Sequence, residues 1–118
     1  MSSPPKSGVI VYSRDISKLS QFYVDMFEMS VQRETEEFIS IAKDGVNLVI
    51  HTPPIELPNN NFNTVKLFLT VENLAESRQR AIELGGESLP GEWSNQLFKV
   101  CNIADSEGNH IQIREFAQ

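Results

Sequence analysis

Apolar and polar residues follow one another along this chain in a pattern that predicts secondary structure in two similar halves. In the first half, apolar side chains recur at helical spacing after Asp15, a good helix N-cap. The Asp44-Gly45 pair is a strong signal for a tight β-hairpin. The predicted elements are, in order, a strand over 8–13, a helix over 15–27, and strands over 30–34, 38–43 and 46–51.

The second half repeats this order of elements. Asn73 predicts a helix N-cap, with Glu76 three residues later as in a capping box. Gly85-Gly86 is typical of a helix end. The predicted elements are a strand over 65–71, a helix over 73–84, and strands over 87–89, 96–102 and 110–116. Because sequence identity between the halves is low, the repeat depends mainly on the order of elements.

These elements predict one domain, over 8–118, with a tail in front of it. Residues 1–7 are rich in Ser and Pro and are expected to be disordered. The stretch 52–63 holds three prolines and four asparagines, which indicates a linker between module one, 8–51, and module two, 64–116.

Alternation within the strands predicts that each has an aliphatic face and a mixed face. Val65, Leu67 and Leu69 share one face of their strand, and Phe68 faces the other way. We expect the aliphatic faces to pack under the two helices and the mixed faces to line a concave surface, which would form a pocket. The predicted fold class is therefore α+β: two βαβββ modules forming a curved mixed sheet with helices on the convex side.

Composition and charge exclude some classes of binding partner. The net charge of -6 and the pI near 4.8 disfavour binding to a phosphate backbone, so no nucleic-acid partner is expected. The first residues do not form a secretory signal, no apolar run is long enough to cross a membrane, and Cys101 is the single cysteine. These features predict a cytoplasmic protein that has no membrane partner.

Three stretches together resemble the vicinal oxygen chelate superfamily, which includes glyoxalase I, extradiol dioxygenases and bleomycin-resistance proteins. They are VYSRDISKLSQFY over 11–23, VENLAES over 71–77 leading to Gly85-Gly86, and DSEGNHIQI over 105–113. The last is similar to an Asp-Pro-Asp-Gly-Asn turn of that superfamily, with Ser106 in place of Pro. The resemblance covers about residues 8–116 and implies the paired βαβββ fold.

Catalytic members of that superfamily hold a metal with four His and Glu side chains on the concave face. The resemblance places those positions at Gly8, Asn47, Lys66 and Gln112. Glycine has no side-chain donor, a lysine ammonium has no lone pair, and amides are weak ligands for transition metals. We therefore predict no metal, no cofactor and no catalytic residue.

A set of aromatic and polar side chains is predicted to bind a small molecule on the mixed faces. Arg33 and Arg114 are candidates for binding a carboxylate, and the alternative is salt bridges with Glu34 and Glu115. Trp93 either closes over a flat ligand or packs on its own domain. The predicted ligand-binding residues are Tyr12, Asn47, His51, Phe68, Trp93, Gln112 and Arg114.

Two further pairs of side chains each have two interpretations. If their side chains lay within hydrogen-bonding distance, Cys101 could act as a nucleophile and His110 as its base. The alternative is that Cys101, a single Cys in a strand, is a small buried apolar residue. His51 and His110 would need a carboxylate partner to hold a metal, and otherwise lie at the surface or rim.

The function predicted from these observations is metal-free binding of an unidentified small organic molecule. The alternatives are a diverged enzyme, of lactoylglutathione-lyase, isomerase or dioxygenase type, and an interaction domain whose dimer interface matters most. Members of the superfamily commonly dimerise, so the resemblance also implies a homodimer.

Overall fold

The computed structural model describes residues 3–53 and 65–117, and the chain divides into two compact units, Met1–Val65 and Lys66–Gln118. Most of the predicted linker lies outside the described residues. The predicted single domain and disordered tail stay predictions.

The first unit has the order strand, helix and three strands, as predicted. Its elements are β1 (Gly8–Tyr12), α1 (Ile16–Phe27), β2 (Ser30–Glu34), β3 (Phe38–Lys43) and β4 (Val46–His51). The strands lie in the order β2-β3-β4-β1. The β1–β4 pair is parallel and the other two pairs are antiparallel, so the sheet is mixed.

Local sequence signals set the ends of these elements. The Asp15 side chain accepts a hydrogen bond from the Lys18 backbone N–H at 3.0 Å, which caps the first turn of α1. Asp44 and Gly45 both have positive φ, 50° and 84°, as a two-residue type I′ hairpin requires. The Asp44-Gly45 prediction is therefore confirmed.

Alternation places the apolar side chains of this sheet under α1. Adjacent strands bring Ile39, Ile50 and Val11 into register on one face. The buried cluster consists of Met29, Ile39, Ile41 and Ile50, and α1 packs on it through Ile16, Leu19, Tyr23 and Val24. Within residues 3–53, no helix lies on the opposite face of these four strands.

The second unit starts in β5 (Val65–Thr70) and adds one short strand to the predicted order. Its other elements are α2 (Leu74–Glu83), β6 (Glu87–Ser88), β7 (Trp93–Ser94), β8 (Phe98–Ala104) and β9 (His110–Phe116). The strands lie in the order β5-β9-β8-β6, with β7 also paired to β8. The β5–β9 pair is parallel and the others are antiparallel.

Two predicted signals define α2. The Asn73 side chain accepts a hydrogen bond from the Glu76 backbone N–H at 2.9 Å. Gly85 follows the helix with φ 95°, a conformation that favours glycine. At Gly86 a Cβ would lie 2.2 Å from the Ala104 carbonyl oxygen, so only glycine permits this close approach of helix end and sheet.

The core of the second unit lies between α2 and strands β8 and β9. Leu74 of α2, Cys101 and Ile113 are buried together. Leu67 and Leu69 are in register with Ile111 and Ile113 and so lie on the same side as α2, yet they are 49% and 45% exposed. The expectation that the aliphatic face of β5 packs under a helix is wrong within this chain, because α2 packs mainly on β6, β8 and β9.

Both units combine a helix with a mixed sheet, so the predicted α+β class is confirmed. Neither α1 nor α2, the helices within residues 3–53 and 65–117, is long and apolar enough to span a membrane.

Candidate functional site

In each unit, the face of the sheet opposite the helix presents polar and aromatic side chains. We call these the helix-free face of the first unit, on β1–β4, and the helix-free face of the second unit, on β5, β7, β8 and β9. Side chains reach them because strand residues alternate between the two sides of a sheet. All seven predicted ligand-binding residues lie on one or other of these faces by register.

An aromatic row crosses the helix-free face of the first unit. Tyr12, His51 and Phe38 are in register on three neighbouring strands. The His51 ring stacks on Phe38 with centroids 5.9 Å apart and meets the edge of Tyr12 at 6.1 Å. The structure therefore brings two predicted residues together and adds Phe38.

Hydrogen bonding determines which donors this face offers. His51 Nδ1 lies 2.7 Å from the Thr52 carbonyl oxygen, which can only accept, so Nδ1 holds the proton of the neutral ring. His51 Nε2 then has the lone pair. Asn47, four residues earlier on β4, donates from Nδ2 to the Ser7 carbonyl oxygen at 3.2 Å. Its amide is thus tied to the backbone before β1.

A buried guanidinium dominates the helix-free face of the second unit. The Arg114 Cζ lies 4.0 Å from the centre of the Phe68 ring and 4.7 Å from that of Phe98, and the residue is 6% exposed. Burial lowers the pKa of Arg114 to about 10, because desolvation penalises the charged form. At neutral pH the group is still a cation, stabilised by the two rings.

Two polar contacts accompany this cation. Arg114 Nε donates to Gln112 Oε1 at 2.8 Å, and Lys66 Nζ donates to Asn102 Oδ1 at 3.2 Å. Gln112 and Asn102 are in register on β9 and β8, and Phe68 is in register with Gln112 on the other side. These side chains therefore form one polar row beside the buried cation.

Trp93 lies at the edge of this face. Its β7 backbone pairs with Val100, and its side chain is 55% exposed. The indole ring packs on Gly91, where an added Cβ would lie 2.5 Å from the ring. This contact agrees with packing on its own loop, while the exposed half of the ring leaves room for a ligand, so both hypotheses for Trp93 remain.

The alternative for Arg114, a salt bridge with Glu115, does not form. Neighbouring strand residues point to opposite faces, and Glu115 lies on the side of α2. There its carboxylate accepts from the Leu74 backbone N–H at 2.8 Å and pairs with Lys99 Nζ at 3.4 Å. These hydrogen bonds lower the pKa of Glu115, first through the Leu74 N–H and then through Lys99.

Cys101 and His110 do not form a nucleophile and base. Cys101 is in register with Ile113 in the core, and His110 is in register with Ala104 on the helix-free face. Burial raises the pKa of the Cys101 thiol. The thiol therefore behaves as the small buried apolar group that was the alternative hypothesis.

Phe38, Phe98 and Asn102 were not predicted as site residues. Each reaches its partner through antiparallel pairing, which sets Phe38 beside His51 and Asn102 beside Gln112. Alternation alone would have placed Phe98 on the same face as Asn102, so that signal was present in the sequence. The sequence held no signal for which residues pair across neighbouring strands.

One open depression of about 510 Å³ lies elsewhere, on the outer surface of α2. Its lining residues are Glu76, Ser77, Gln79, Arg80 and Glu83. All belong to a single helix and none is a predicted ligand-binding residue, so this depression does not enclose a ligand.

Comparison with known proteins identifies the family. The sequence profile of the glyoxalase-like domain matches residues 8–114, which is most of the chain. The chain belongs to the glyoxalase-like domain family. This confirms the resemblance to the vicinal oxygen chelate superfamily. A search of the curated proteins found no match.

Solved structures share the glyoxalase-like fold at low identity. A glyoxalase/bleomycin resistance protein/dioxygenase superfamily member from Vibrio splendidus 12B01 has TM-score 0.67 and 21% identity, with coverage of 94% of this chain and 97% of that one. Methylmalonyl-CoA epimerase from Mycobacterium tuberculosis has TM-score 0.67 and 16% identity, covering 95% and 86%. A chain described as NAD-dependent benzaldehyde dehydrogenase from Legionella pneumophila has TM-score 0.74 and 12% identity, covering 94% and 99%. These different descriptions on one fold do not assign an activity.

The positions that the resemblance assigns to metal ligands do not fit a metal. Gly8 has no side-chain donor, Lys66 offers an ammonium already donating to Asn102, and the Gln112 oxygen accepts from a cation. Within residues 3–53 and 65–117, no three His, Cys, Asp or Glu side chains lie close enough together to hold a metal ion.

Proposed function

We propose that this glyoxalase-like protein binds a small organic molecule on its helix-free faces without using a metal. The observation that supports it is the arrangement around Gln112, where a position expected to ligate a metal is instead hydrogen-bonded to a buried Arg114. A cation next to that position repels a metal ion. Aromatic rings and anchored amides beside it are the kind of lining that small-molecule sites use.

Metal content is the first test of this proposal. The protein is purified without chelator and without added metal, and Zn, Ni, Fe and Mn are measured by elemental analysis. The expected result is far less than one metal per chain. A stoichiometric transition metal would overturn the metal-free assignment and support a diverged enzyme of the lyase, isomerase or dioxygenase type.

Ligand capture is tested by thermal shift with neutral, cationic and anionic aromatic compounds, glycopeptides and thiol conjugates. A compound that binds the folded state at 100 times its Kd stabilises it by about 2.7 kcal/mol, which a melting curve detects easily. Stabilisation by any one class is expected. If no class stabilises the protein, the proposed function is wrong.

We also propose that the protein is a cytoplasmic homodimer. Its support is the outer side of α1, where Phe22 is 57% and Met26 64% exposed, because contiguous exposed apolar side chains mark association surfaces. Light scattering is expected to give twice the chain mass, and Met26→Lys is expected to shift it toward one chain. A wild-type monomer at micromolar concentration would contradict this proposal.

A further inference from the structure

The hydrogen bonds on the helix-free face of the second unit determine which way its amides point. Arg114 Nε can only donate, so the Gln112 atom 2.8 Å away is the amide oxygen and not the nitrogen. The two N–H donors of Gln112 are therefore turned away from Arg114. At this position the protein offers hydrogen-bond donors to a ligand, whereas a glutamate would offer acceptors.

A second amide in the same row has the same orientation. Lys66 Nζ also can only donate, so its contact with Asn102 at 3.2 Å uses the amide oxygen. The amino group of Asn102 is left as a donor, next to Gln112 across the β8–β9 pair. Two amides and an ammonium thus place donors in one row.

The charged side chains of these strands are also divided between the two faces, with two of the cations on the helix-free face. Strands β5, β8 and β9 place Lys66 and Arg114 on this face by alternation, and their single acidic residue, Glu115, lies on the opposite face. Glu87 of the two-residue β6 is the one strand carboxylate in register with this face, at its edge beside Ala104. The chain has 16 acidic residues and a net charge of -6, so a basic face is contrary to its overall charge.

Resting on the proposed function, we infer that the helix-free face of the second unit recognises a small organic carboxylate. The amino groups of Gln112 and Asn102 and the Lys66 ammonium are suited to donate to its oxygens, since charge-assisted hydrogen bonds to a carboxylate are the strong ones. The Arg114 cation adds long-range attraction. The inference excludes a cationic ligand on this face.

Rings farther along the same face, on the Arg114 side of the donor row, favour an anion with an apolar body over an inorganic one. The Phe98 and Phe116 rings pack with centroids 5.1 Å apart, and half of the Trp93 indole is exposed. An apolar body that extends from the carboxylate along the strands toward Trp93 and Phe98 gains contact with these rings. Inorganic phosphate lacks such a group and serves as the comparison.

The test measures binding of four probes to the full chain by calorimetry: benzoate, benzamide, benzylamine and inorganic phosphate. Benzoate is expected to bind at least about tenfold more tightly than the other three, a difference of about 1.4 kcal/mol. Equal or tighter binding of benzamide or benzylamine would overturn the inference while leaving the proposed function intact. Equal binding of phosphate would also overturn it. If none of the four binds, the inference fails, and the wider thermal-shift panel decides whether the proposed function fails with it.

A matched pair of variants locates the binding. Gln112→Glu replaces the donors by acceptors and pairs with Arg114, so the fold should persist while benzoate affinity falls at least about tenfold. Gln79→Glu makes the same chemical change on the exposed side of α2 and should leave affinity unchanged. If Gln112→Glu does not fold by circular dichroism, Lys66→Gln replaces it, with Lys99→Gln on the opposite face as control. Wild-type affinity in the folded Gln112 or Lys66 variant would overturn the inference.

Discussion

Phe68 provides the sharpest test of how the second unit is built. It was predicted as a ligand contact, but its ring is fully buried beneath the Arg114 guanidinium. The substitution Phe68→Leu keeps an apolar side chain of similar size and removes the ring. Loss of a desolvated cation–π contact costs about 2 kcal/mol. Repacking after a change of shape adds up to about 1.5 kcal/mol. We therefore expect Phe68→Leu to lower the free energy of unfolding by about 2–3.5 kcal/mol.

Phe98→Leu is the matched control, because it removes the same ring at a half-buried position. Arg114 lies farther from Phe98, at 4.7 Å, so we expect a loss of only about 1 kcal/mol. Both values are measured by urea unfolding, followed by far-ultraviolet circular dichroism, with the slope m compared between variants. If the two variants differ by less than about 0.5 kcal/mol, the reasoning that burial strengthens the Arg114–Phe68 contact is refuted.

Three further predictions follow from the same structure. Asn73→Ala removes the N-cap of α2 and should cost about 1 kcal/mol in urea unfolding, with Asn73→Gly costing a few tenths. An Asn73→Ala variant as stable as the wild type would show that the side-chain cap contributes nothing. Because the folded-state pKa of Glu115 is lowered, its stabilising effect is present above about pH 4.5, the ordinary pKa of a glutamate, and is lost as pH falls below it. Stability should therefore drop less on acidification in Glu115→Gln than in the wild type, and parallel curves would contradict this. The fully buried Cys101 thiol should react with a disulfide reagent far more slowly in native protein than in urea, and equal rates would show that the core opens readily.

The sequence alone determined the features that depend on near neighbours. Asp44-Gly45 makes its turn with two positive φ values, and Asn73 caps α2, because both effects act over two to four residues. Alternation placed Tyr12, His51, Gln112 and Arg114 on faces away from the helices for the same reason. The order of these local elements was enough to predict the α+β class, and the resemblance of the stretches 11–23, 71–77 and 105–113 indicated the family.

Only the tertiary structure decided which side chains meet. Strand register, which no local signal sets, brings Phe38 to His51, puts Asn102 beside Gln112, and sends Cys101 and His110 to opposite faces. The half-exposed Leu67 could not be foreseen, since the extent of α2 coverage depends on where the helix packs. The orientation of the Gln112 amide depends on a hydrogen bond with Arg114 that exists only once both side chains lie on one folded face. The composition shows that the protein is acidic overall. The helix-free face of the second unit is nevertheless basic and rich in hydrogen-bond donors, because alternation along the strands and pairing between them determine which charged side chains share a side of the sheet.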